Sequence, residues 1–404
     1  MILRGSRCRE CLVAMEASPA STPIFLFGLV FSPALLEVYS NLWSETLFIL
    51  LLLLFMMAMH RYFQSYSRKA LVAAALIASM ASITRYAGIT LIGTGGILLL
   101  IDTALPLRRK IIDLILFSVI SPLLLIINLA RNYAVSETLT GFREKSISTL
   151  ASNTSDTGSA ISDWFPFLHR HYETGMLVAV FAIAALAFIC VKFFISNRRI
   201  ASYESMAAFF SLLYILFLII TATLSRFEGL NSRFLSPVFI PLLWSGTSWI
   251  VSVSQRSKPA VKKSLMIAGV LLFFAFQWNQ LTIDYETWDG VKDAGIPGYT
   301  EDQWTKSETV NFIQKDSFPF RKDYTVYSDA PDAVYFFSGK PAKYLPHKDP
   351  GWDLEQFMGD PHCYMIWFND GNDPDQVDTS FVTRVKKMKL VKKFNDGAIY
   401  EFDR

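Results

Sequence analysis

SPALLEVYSNLWSETLF, at Ser32–Phe48, is followed without a break by the apolar run Ile49–Met57. Together they predict the end of one membrane span, a tight turn and the start of the next span. Two carboxylates, Glu37 and Glu45, fall at this turn. Because an ionisable side chain at membrane depth is costly unless it faces a cavity or a partner, the turn is predicted to form one wall of a site at the outer membrane face.

Composition favours a polytopic membrane protein. Of the 404 residues, 52% are hydrophobic and 18% are charged, and the mean hydropathy is +0.32. The formal net charge of +3 gives no strongly basic surface, so no nucleic-acid partner is expected. Cys8 and Cys11 form a C-x-x-C pair without the second pair that a zinc site needs. No cofactor is therefore expected, although a divalent metal is left open.

Long apolar segments predict a helical membrane domain of about nine transmembrane helices. The predicted division is a cytoplasmic tail at 1–22, a transmembrane domain at 23–281 with an outer loop at 131–175, and an extracytoplasmic α/β domain at 282–404. The predicted spans are Pro23–Ser40, Leu42–Met59, Ala70–Thr84, Gly88–Ile101, Ile111–Leu129, Met176–Ile195, Ser205–Leu224, Phe234–Val253 and Ser264–Leu281.

The distribution of basic residues predicts the orientation. With the N-terminus inside, the inner segments carry 15 Lys and Arg residues and the outer loops before the tail carry 7. Cytoplasmic loops are normally the richer in Lys and Arg. The expected location is a bacterial plasma membrane, with the N-terminus cytoplasmic and the C-terminal domain periplasmic or extracellular.

The outer loop has two parts of different character. Its Ser/Thr-rich centre, SISTLASNTSDTGSAISD, is expected to be solvated, and its aromatic end, DWFPFLHRHYETG, is expected to lie at the membrane surface. Trp164, His169 and His171 are the residues predicted to face an acceptor. Two histidines without a third ligand are a weak metal signal.

Beyond Thr282 the composition turns polar. SETVNFIQK predicts an amphipathic helix, and three runs predict strands, with turn signals at Asp370-Gly371 and Asp396-Gly397. The strand-like runs are TVYSDA–AVYFFSG, CYMIWFN and AIYEF. A helix among strands indicates a small α/β domain.

Several charged groups are predicted to converge on the outer half of the bilayer. Arginines neutralise phosphate, preferably through two hydrogen bonds, and a carboxylate can take the proton from an attacking hydroxyl. This mixture suits an enzyme that acts on a lipid phosphate. The six groups are Glu37, Glu45, Arg85, Arg226, Glu228 and Arg233.

Each of these residues also has a structural interpretation, which stays open. Glu37 lies one turn inside its span, where helix capping does not explain it, and an internal ion pair is its alternative to a site. Glu45 follows Ser44, and an acid in the first turn of a helix complements the helix dipole. Arg85 could snorkel towards lipid headgroups. Arg226 and Arg233 could flank a short turn and pair with Glu228.

Four runs in order resemble the GT-C superfamily of membrane glycosyltransferases, in the bacterial branch related to protein mannosyltransferases and the aminoarabinose transferase. They are SPALLEVYSNLWSETLFILLLLL, LIASMASITRYAGITLI, NSRFLSPVFIPLL and the tail ending in DGAIYEF. The resemblance implies transfer of a sugar from a polyprenyl-phosphate carrier to a glycan, lipid or protein acceptor on the outer side. It implies that Arg85 and Arg233 lie near the carrier phosphate; Arg226 is assigned to the same phosphate, and Glu37 and Glu45 to catalysis.

The chain departs from that family at its start. Family members usually carry an extra span and an outer loop with the catalytic acid before the equivalent of Pro23–Ser40, whereas Met1–Thr22 contains no such span. A truncated glycosyltransferase is therefore expected. That Glu37 and Glu45 have taken over the role of the missing acid, or that the chain is inactive, stays open. The alternative is a non-catalytic membrane scaffold that docks a partner on its outer domain. The apolar middles of Leu50–Phe55 and Leu213–Ile220 argue against a transporter.

Overall fold

The computed structural model describes residues 29, 32–41, 43–141, 143, 145–164, 172–196, 202–226, 229–256, 258–294, 298–314, 320–348, 351–368 and 376–404. The chain forms two compact units, Met1–Asp284 and Tyr285–Arg404. The expected cytoplasmic tail and eight of the 18 residues of the first expected span, Pro23–Ser40, lie outside the described residues.

The first unit is helical. Two single 3₁₀ turns, Tyr86–Gly88 and Tyr172–Thr174, precede α4 and α8. The helices are α1 (Pro33–Ser40), α2 (Ser44–Ser65), α3 (Arg68–Thr84), α4 (Ile89–Ile101), α5 (Leu107–Ile120), α6 (Leu123–Ser136), α7 (Leu150–Ser162), α8 (Gly175–Ser196), α9 (Tyr203–Leu224), α10 (Ser232–Arg256) and α11 (Pro259–Ala294), the last of which runs on into the second unit.

Five helical segments among the described residues are long and apolar enough to cross a membrane, so the expectation of nine spans is wrong for this part of the chain. A perpendicular crossing needs about 20 residues. The expected spans at 70–84 and 88–101 fall in helices of 17 and 13 residues. The five segments are Ser44–Ser65, Leu107–Ser136, Gly175–Ile195, Tyr203–Leu224 and Pro259–Asp293.

Helix α2 shows how an almost wholly apolar helix still has an inner and an outer face. Phe48, Leu52 and Phe55 are buried, whereas Leu47 and Leu50 are about half-exposed. The buried positions recur at helical spacing and pack against the neighbouring helix α3. The facing positions on α3 are small, which lets the two helices approach closely; they include Ala74, Ala75, Ala78 and Ala81.

The Ser/Thr-rich centre of the outer loop is helical, and the expectation of a solvated loop is wrong. Helix α7 begins with a capping box in which Thr149 and Ser152 satisfy each other's backbone N–H groups. Asn153, Thr157 and Gly158 are buried on the packed face of α7. Small side chains and an N-cap make this segment a tightly packed helix, although Leu150 and Ile161 are its only large apolar residues.

The second unit is a small α/β fold, as the sequence predicts. Its described strands are β1 (Thr325–Ser328), β2 (Lys343–Tyr344), β3 (His362–Trp367), β4 (Lys389–Lys393) and β5 (Ala398–Asp403), in the order β2-β1-β3-β5-β4. The first three strands are parallel, and β5 and β4 add on antiparallel. The accompanying helices are α12 (Asp302–Thr305), α13 (Glu308–Gln314), α14 (Pro331–Ser338), α15 (Trp352–Gly359) and α16 (Thr379–Arg384).

The strand-like run TVYSDA–AVYFFSG is a strand only in its first half, β1, and its second half is a helix. The run AVYFFSG forms most of α14, which has Pro331 and Asp332 in its first turn and ends at Gly339 with φ of +67°. Proline at the start and a left-handed glycine after the end are helix signals. These signals outweigh the β propensity of the aromatic residues between them.

Candidate functional site

Three predicted site residues meet although they are far apart in the chain. Glu45 lies in the first turn of α2, Arg85 follows the last turn of α3, and Arg233 lies in the first turn of α10. The Arg233 Nε atom lies 2.9 Å from Glu45 Oε1, and Arg85 Nη1 pairs with the same oxygen. Glu45 is fully buried, whereas the side chains of Arg85 and Arg233 are 13% and 29% exposed. We call these three residues the outer cluster.

Neighbouring groups hold the outer cluster in place. The Ser44 hydroxyl donates to Glu45 Oε2 at 3.4 Å and accepts from Arg85 Nη1 at 3.3 Å. The Arg233 guanidinium lies 4.2 Å from the ring centre of Trp43 and 5.4 Å from that of Phe234. A guanidinium over an aromatic face gains cation–π attraction. Within the outer cluster, two guanidinium groups thus share one carboxylate.

The contacts of Glu45 and Arg85 bear on the structural interpretations that the sequence left open for these two residues. Glu45 lies at the N-terminal end of α2, where a negative charge complements the helix dipole, and it is also ion-paired. Arg85 is directed to Glu45 and Ser44. Because the Arg85 side chain is mostly buried and paired with Glu45, snorkelling to lipid headgroups does not describe it.

Glu37 differs from Glu45 in its surroundings. Its side chain is exposed on α1, and Arg233 and Glu45 are close enough to act on it electrostatically. The Glu37 carbonyl oxygen accepts hydrogen bonds from Ser40 Oγ at 3.1 Å and Asn41 Nδ2 at 2.8 Å, which close the end of α1. Of the two predicted catalytic carboxylates, Glu37 is the accessible one.

The remaining predicted residues divide into two groups. Arg226 is half-buried just after α9, next to the isolated bridge between Ser225 and Lys145. Glu228, His169 and His171 lie outside the described residues.

Trp164 is buried, so the expectation that it lies at the membrane surface is wrong. It is 5% exposed, and its indole N–H donates to the Ser232 hydroxyl at 3.1 Å. Its ring meets Phe239 edge-on at 5.2 Å, and its carbonyl oxygen accepts from Gln280 Nε2 at 3.5 Å. A buried indole needs a hydrogen-bond acceptor, which Ser232 supplies. Trp164 therefore joins α7 to α10 and α11.

An apolar groove of about 590 Å³ adjoins the outer cluster. Trp43 lines the groove and also lies beneath the Arg233 guanidinium. From there the groove follows the exposed face of α2, where Leu47 and Leu50 line it. The other lining residues are Tyr39, Asn41, Thr46, Ile49 and Leu53.

A second buried ionic cluster lies near the other end of α2, and sequence reasoning missed it. Asp113, fully buried on α5, accepts from the Tyr62 hydroxyl at 2.9 Å and from Arg68 Nε at 3.2 Å. Arg109 lies one turn before it, with Nε 3.7 Å from Asp113 Oδ2. The signal was an aspartate in the apolar run IIDLILF. We call these four residues the Asp113 cluster.

Two ionisable side chains, Lys386 and Cys363, are buried in the second unit. Lys386 donates to the carbonyl oxygens of Phe357 and Asp360, the latter at 3.1 Å, and burial lowers the pKa of its ammonium group. Burial also raises the pKa of the nearby Cys363 thiol to about 11. A thiol protonated at neutral pH is a poor nucleophile, so Cys363 acts as a core residue.

In the part of the chain that the structure describes, no three His, Cys, Asp or Glu side chains come close enough together to hold a metal ion.

No protein-family model, curated protein or solved structure matches this chain. The fold and the outer cluster define a helical protein with apolar helices long enough to cross a membrane, a buried Arg–Glu–Arg cluster and a small α/β unit.

Proposed function

We propose that this chain is a membrane glycosyltransferase of the GT-C type, which moves a sugar from a polyprenyl-phosphate carrier to an acceptor on the outer side of a bacterial plasma membrane. The observation that carries the proposal is the outer cluster. Two guanidinium groups share one buried carboxylate beside an apolar groove. A lipid with an anionic head and a long hydrocarbon chain has the complementary pattern.

The phosphate-binding role falls mainly on Arg233. Its side chain is more exposed than that of Arg85, and Trp43 holds its guanidinium plane from one side. A planar guanidinium binds phosphate oxygens through paired hydrogen bonds, which an ammonium group does not reproduce. Positive charge at this position stabilises a phosphate as the leaving group when the sugar is transferred.

The hydrocarbon chain would occupy the groove along α2. Leu47 and Leu50 expose about half of their surfaces there, and Trp43 joins this apolar surface to Arg233. An isoprenoid chain in the groove gains the same contacts that bilayer lipid makes with the rest of this helix. The groove therefore orients the carrier, and the arginines supply the charge recognition.

The two carboxylates take different roles in this proposal. Glu45 is fully buried and shares Oε1 between two arginines, so it positions them and does not reach an acceptor hydroxyl. Glu37 is exposed and lies within electrostatic range of Arg233. Glu37 is therefore the carboxylate proposed to accept the proton of the attacking hydroxyl.

Lipid binding by the full chain in nanodiscs tests the proposal. Titration with a polyprenyl phosphate and with the uncharged polyprenol should show tight binding of the phosphate alone. Arg233→Ala removes a charged hydrogen-bond donor and should weaken phosphate binding by about tenfold or more. Arg85→Ala should lower the rate of sugar transfer from the loaded carrier.

The matched control is Arg131→Ala, which removes an equal charge from an exposed position on α6. Melting curves of each variant establish that the protein is folded. If the folded wild type binds phosphate and polyprenol equally, or if Arg131→Ala and Arg233→Ala have the same effect, the glycosyltransferase assignment fails. A non-catalytic scaffold would then be the better account.

A further inference from the structure

Basic side chains gather at the end of α2 that lies away from the outer cluster. Arg61 lies near the end of α2, Lys69 lies in the first turn of α3, and Arg108 and Lys110 lie in the first turn of α5. The first three side chains are exposed and that of Lys110 is half-buried. We call these four residues the basic surface.

The Asp113 cluster holds together the three helix ends that carry the basic surface. Asp113 on α5 accepts from the Tyr62 hydroxyl of α2 and from Arg68 Nε of α3. Arg109 Nη2 on α5 donates to the Tyr66 carbonyl oxygen, in the turn between α2 and α3, at 2.6 Å. The end of α2 and the starts of α3 and α5 therefore lie side by side, and their cations belong to one end of the helical unit.

The positive charge of the basic surface runs against the usual charge preference of helix ends. A helix N-terminus carries a partial positive charge, so acidic residues are favoured in its first turn and basic ones are not. Neither α3 nor α5 has an acidic residue in its first turn or a side-chain N-cap, and both have cations there. Basic side chains and uncapped helix starts together favour an anionic partner.

Carboxylates do not balance this charge locally. The stretches 58–70 and 103–112, which carry the basic surface, contain no aspartate or glutamate. The flanking Asp102 and Asp113 are both buried. Among the residues that the structure describes, the salt bridges of Asp113 go to Arg68 and Arg109 and not to the basic surface.

An exposed apolar stripe on α5 begins beside the basic surface. Leu107, Ile111 and Ile115 recur every four residues and so share one face of the helix, and about half or more of each side chain is exposed. Leu107 directly precedes Arg108 in the chain. Cations next to a long apolar stripe fit a lipid with an anionic head, whereas a free anion or a nucleic acid would leave the stripe unused.

The position of the basic surface along α2 agrees with a lipid headgroup region. Arg61 follows Glu45 by 16 residues in the same helix, about 24 Å, and the hydrocarbon core of a bilayer is about 30 Å thick. Aromatic rings lie at the same end: His60 stacks on Tyr203 at 4.3 Å, and Tyr203 lies 5.6 Å from Trp244. Tyrosine and tryptophan are enriched at membrane–water interfaces.

We propose that the basic surface binds the phosphate of an anionic phospholipid from the surrounding bilayer, with an acyl chain of that lipid along the apolar stripe of α5. Arg61, Lys69, Arg108 and Lys110 supply the charge, as basic residues next to a membrane helix do for anionic lipids. The Asp113 carboxylate is buried and acts by holding the helix ends in place. This lipid is a bound partner and not a substrate, so the proposal does not rest on the proposed function.

Native mass spectrometry of the full chain in detergent tests the proposal. Titration with phosphatidylglycerol and with phosphatidylcholine of the same acyl chains measures the two dissociation constants. Phosphatidylglycerol should bind about tenfold more tightly, and Lys69→Gln with Arg108→Gln should reduce this preference to about twofold or less. Phosphatidylglycerol should also raise the melting temperature of the wild type more than that of the double variant, because a ligand that binds only the folded state stabilises it.

The matched control is Arg131→Gln with Lys322→Gln, which removes two exposed cations from α6 and from the second unit. Melting curves show which variants fold, and Arg61→Gln is a second test of the basic surface outside the starts of α3 and α5. Equal affinity of the wild type for the two phospholipids overturns the proposal. An unchanged preference in the folded variants of the basic surface, or an equal loss in the control, also overturns it.

The two lipid sites are distinguished on the same samples. Arg233→Ala should leave the preference for phosphatidylglycerol unchanged, and the Lys69→Gln and Arg108→Gln double variant should keep the affinity for polyprenyl phosphate. Loss of the phosphatidylglycerol preference in Arg233→Ala would place that lipid at the outer cluster and refute the role of the basic surface. Absence of polyprenyl-phosphate binding with an intact phosphatidylglycerol preference would refute the proposed function alone.

Discussion

Glu45 is the residue on which the outer cluster depends. Its carboxylate has no exposed surface and is the counter-charge for both Arg85 and Arg233. Removing one partner of a buried ion pair is costly because the remaining charges stay desolvated and unpaired. At this position the carboxylate sets the geometry of the arginines, which are the groups proposed to bind phosphate.

Glu45→Gln should therefore destabilise the protein, although the side chains have nearly the same shape. We expect a loss of about 3 kcal/mol in unfolding free energy, measured as a lower melting temperature in nanodiscs. The control is Glu137→Gln, which neutralises an exposed carboxylate after α6 and should leave the melting temperature unchanged. Equal melting of wild type and Glu45→Gln would show that the arginines do not need this counter-charge.

At the scale of elements, the contact between α7 and α8 depends on two glycines. A Cβ atom at Gly158 would overlap the carbonyl oxygen of Gly175, so the backbones approach each other as closely as glycine allows. Close approach of helix backbones is typical of small residues at membrane helix interfaces. This contact fixes the position of α7 against α8 in the first unit.

Gly158→Ala should force the two helices apart. The expected cost is about 1 to 3 kcal/mol, because a backbone carbonyl cannot move aside as a flexible side chain can. Gly246→Ala, on α10, is the control: a Cβ there meets nothing within 4 Å, and alanine is the better helix former. Thermal melting should rank Gly246→Ala at or above wild type and Gly158→Ala below it; the opposite order would mean that this helix contact is loose.

For the first unit as a whole, α2 carries buried ionic contacts near both ends. Glu45 and Tyr62 are separated by 17 residues, which corresponds to about 25 Å along the helix. The outer cluster ties α2 to α3 and α10, and the Asp113 cluster ties α2 to α3 and α5. We expect the first to bind ligand and the second to stabilise the fold, because the Asp113 carboxylate is enclosed by its three partners.

Asp113→Asn should separate these two roles. It removes the counter-charge of Arg68 and Arg109 and should therefore lower the melting temperature. The affinity of the folded protein for polyprenyl phosphate should stay within about twofold of the wild-type value, because distant sites act independently. Arg233→Ala should mainly reduce affinity. If Asp113→Asn weakens phosphate binding as much as Arg233→Ala does, the two clusters are coupled and the division is wrong.

Much of the outer cluster could be anticipated from local sequence, whereas its pairing could not. A glutamate at the start of a span and arginines at the ends of two others are unusual enough to single out Glu45, Arg85 and Arg233. Their convergence joins residues 188 positions apart, which no local pattern encodes. The same limit explains the wrong prediction for Trp164. Its aromatic neighbours in the sequence favoured a place at the membrane surface, whereas its buried hydrogen-bond acceptor, Ser232, is distant in the chain.

The sequence by itself determined the class of the protein: long apolar segments require helices in a membrane-like environment, and the polar tail with alternating strands requires a small α/β unit. Only the tertiary structure decided which charges are paired, that the Ser/Thr-rich loop is a packed helix, and that an apolar groove along α2 adjoins the outer cluster. The physical reason is the distance along the chain over which each effect acts. Hydrophobic periodicity acts over a few residues, whereas ion pairs and cavities depend on side chains that only packing brings together.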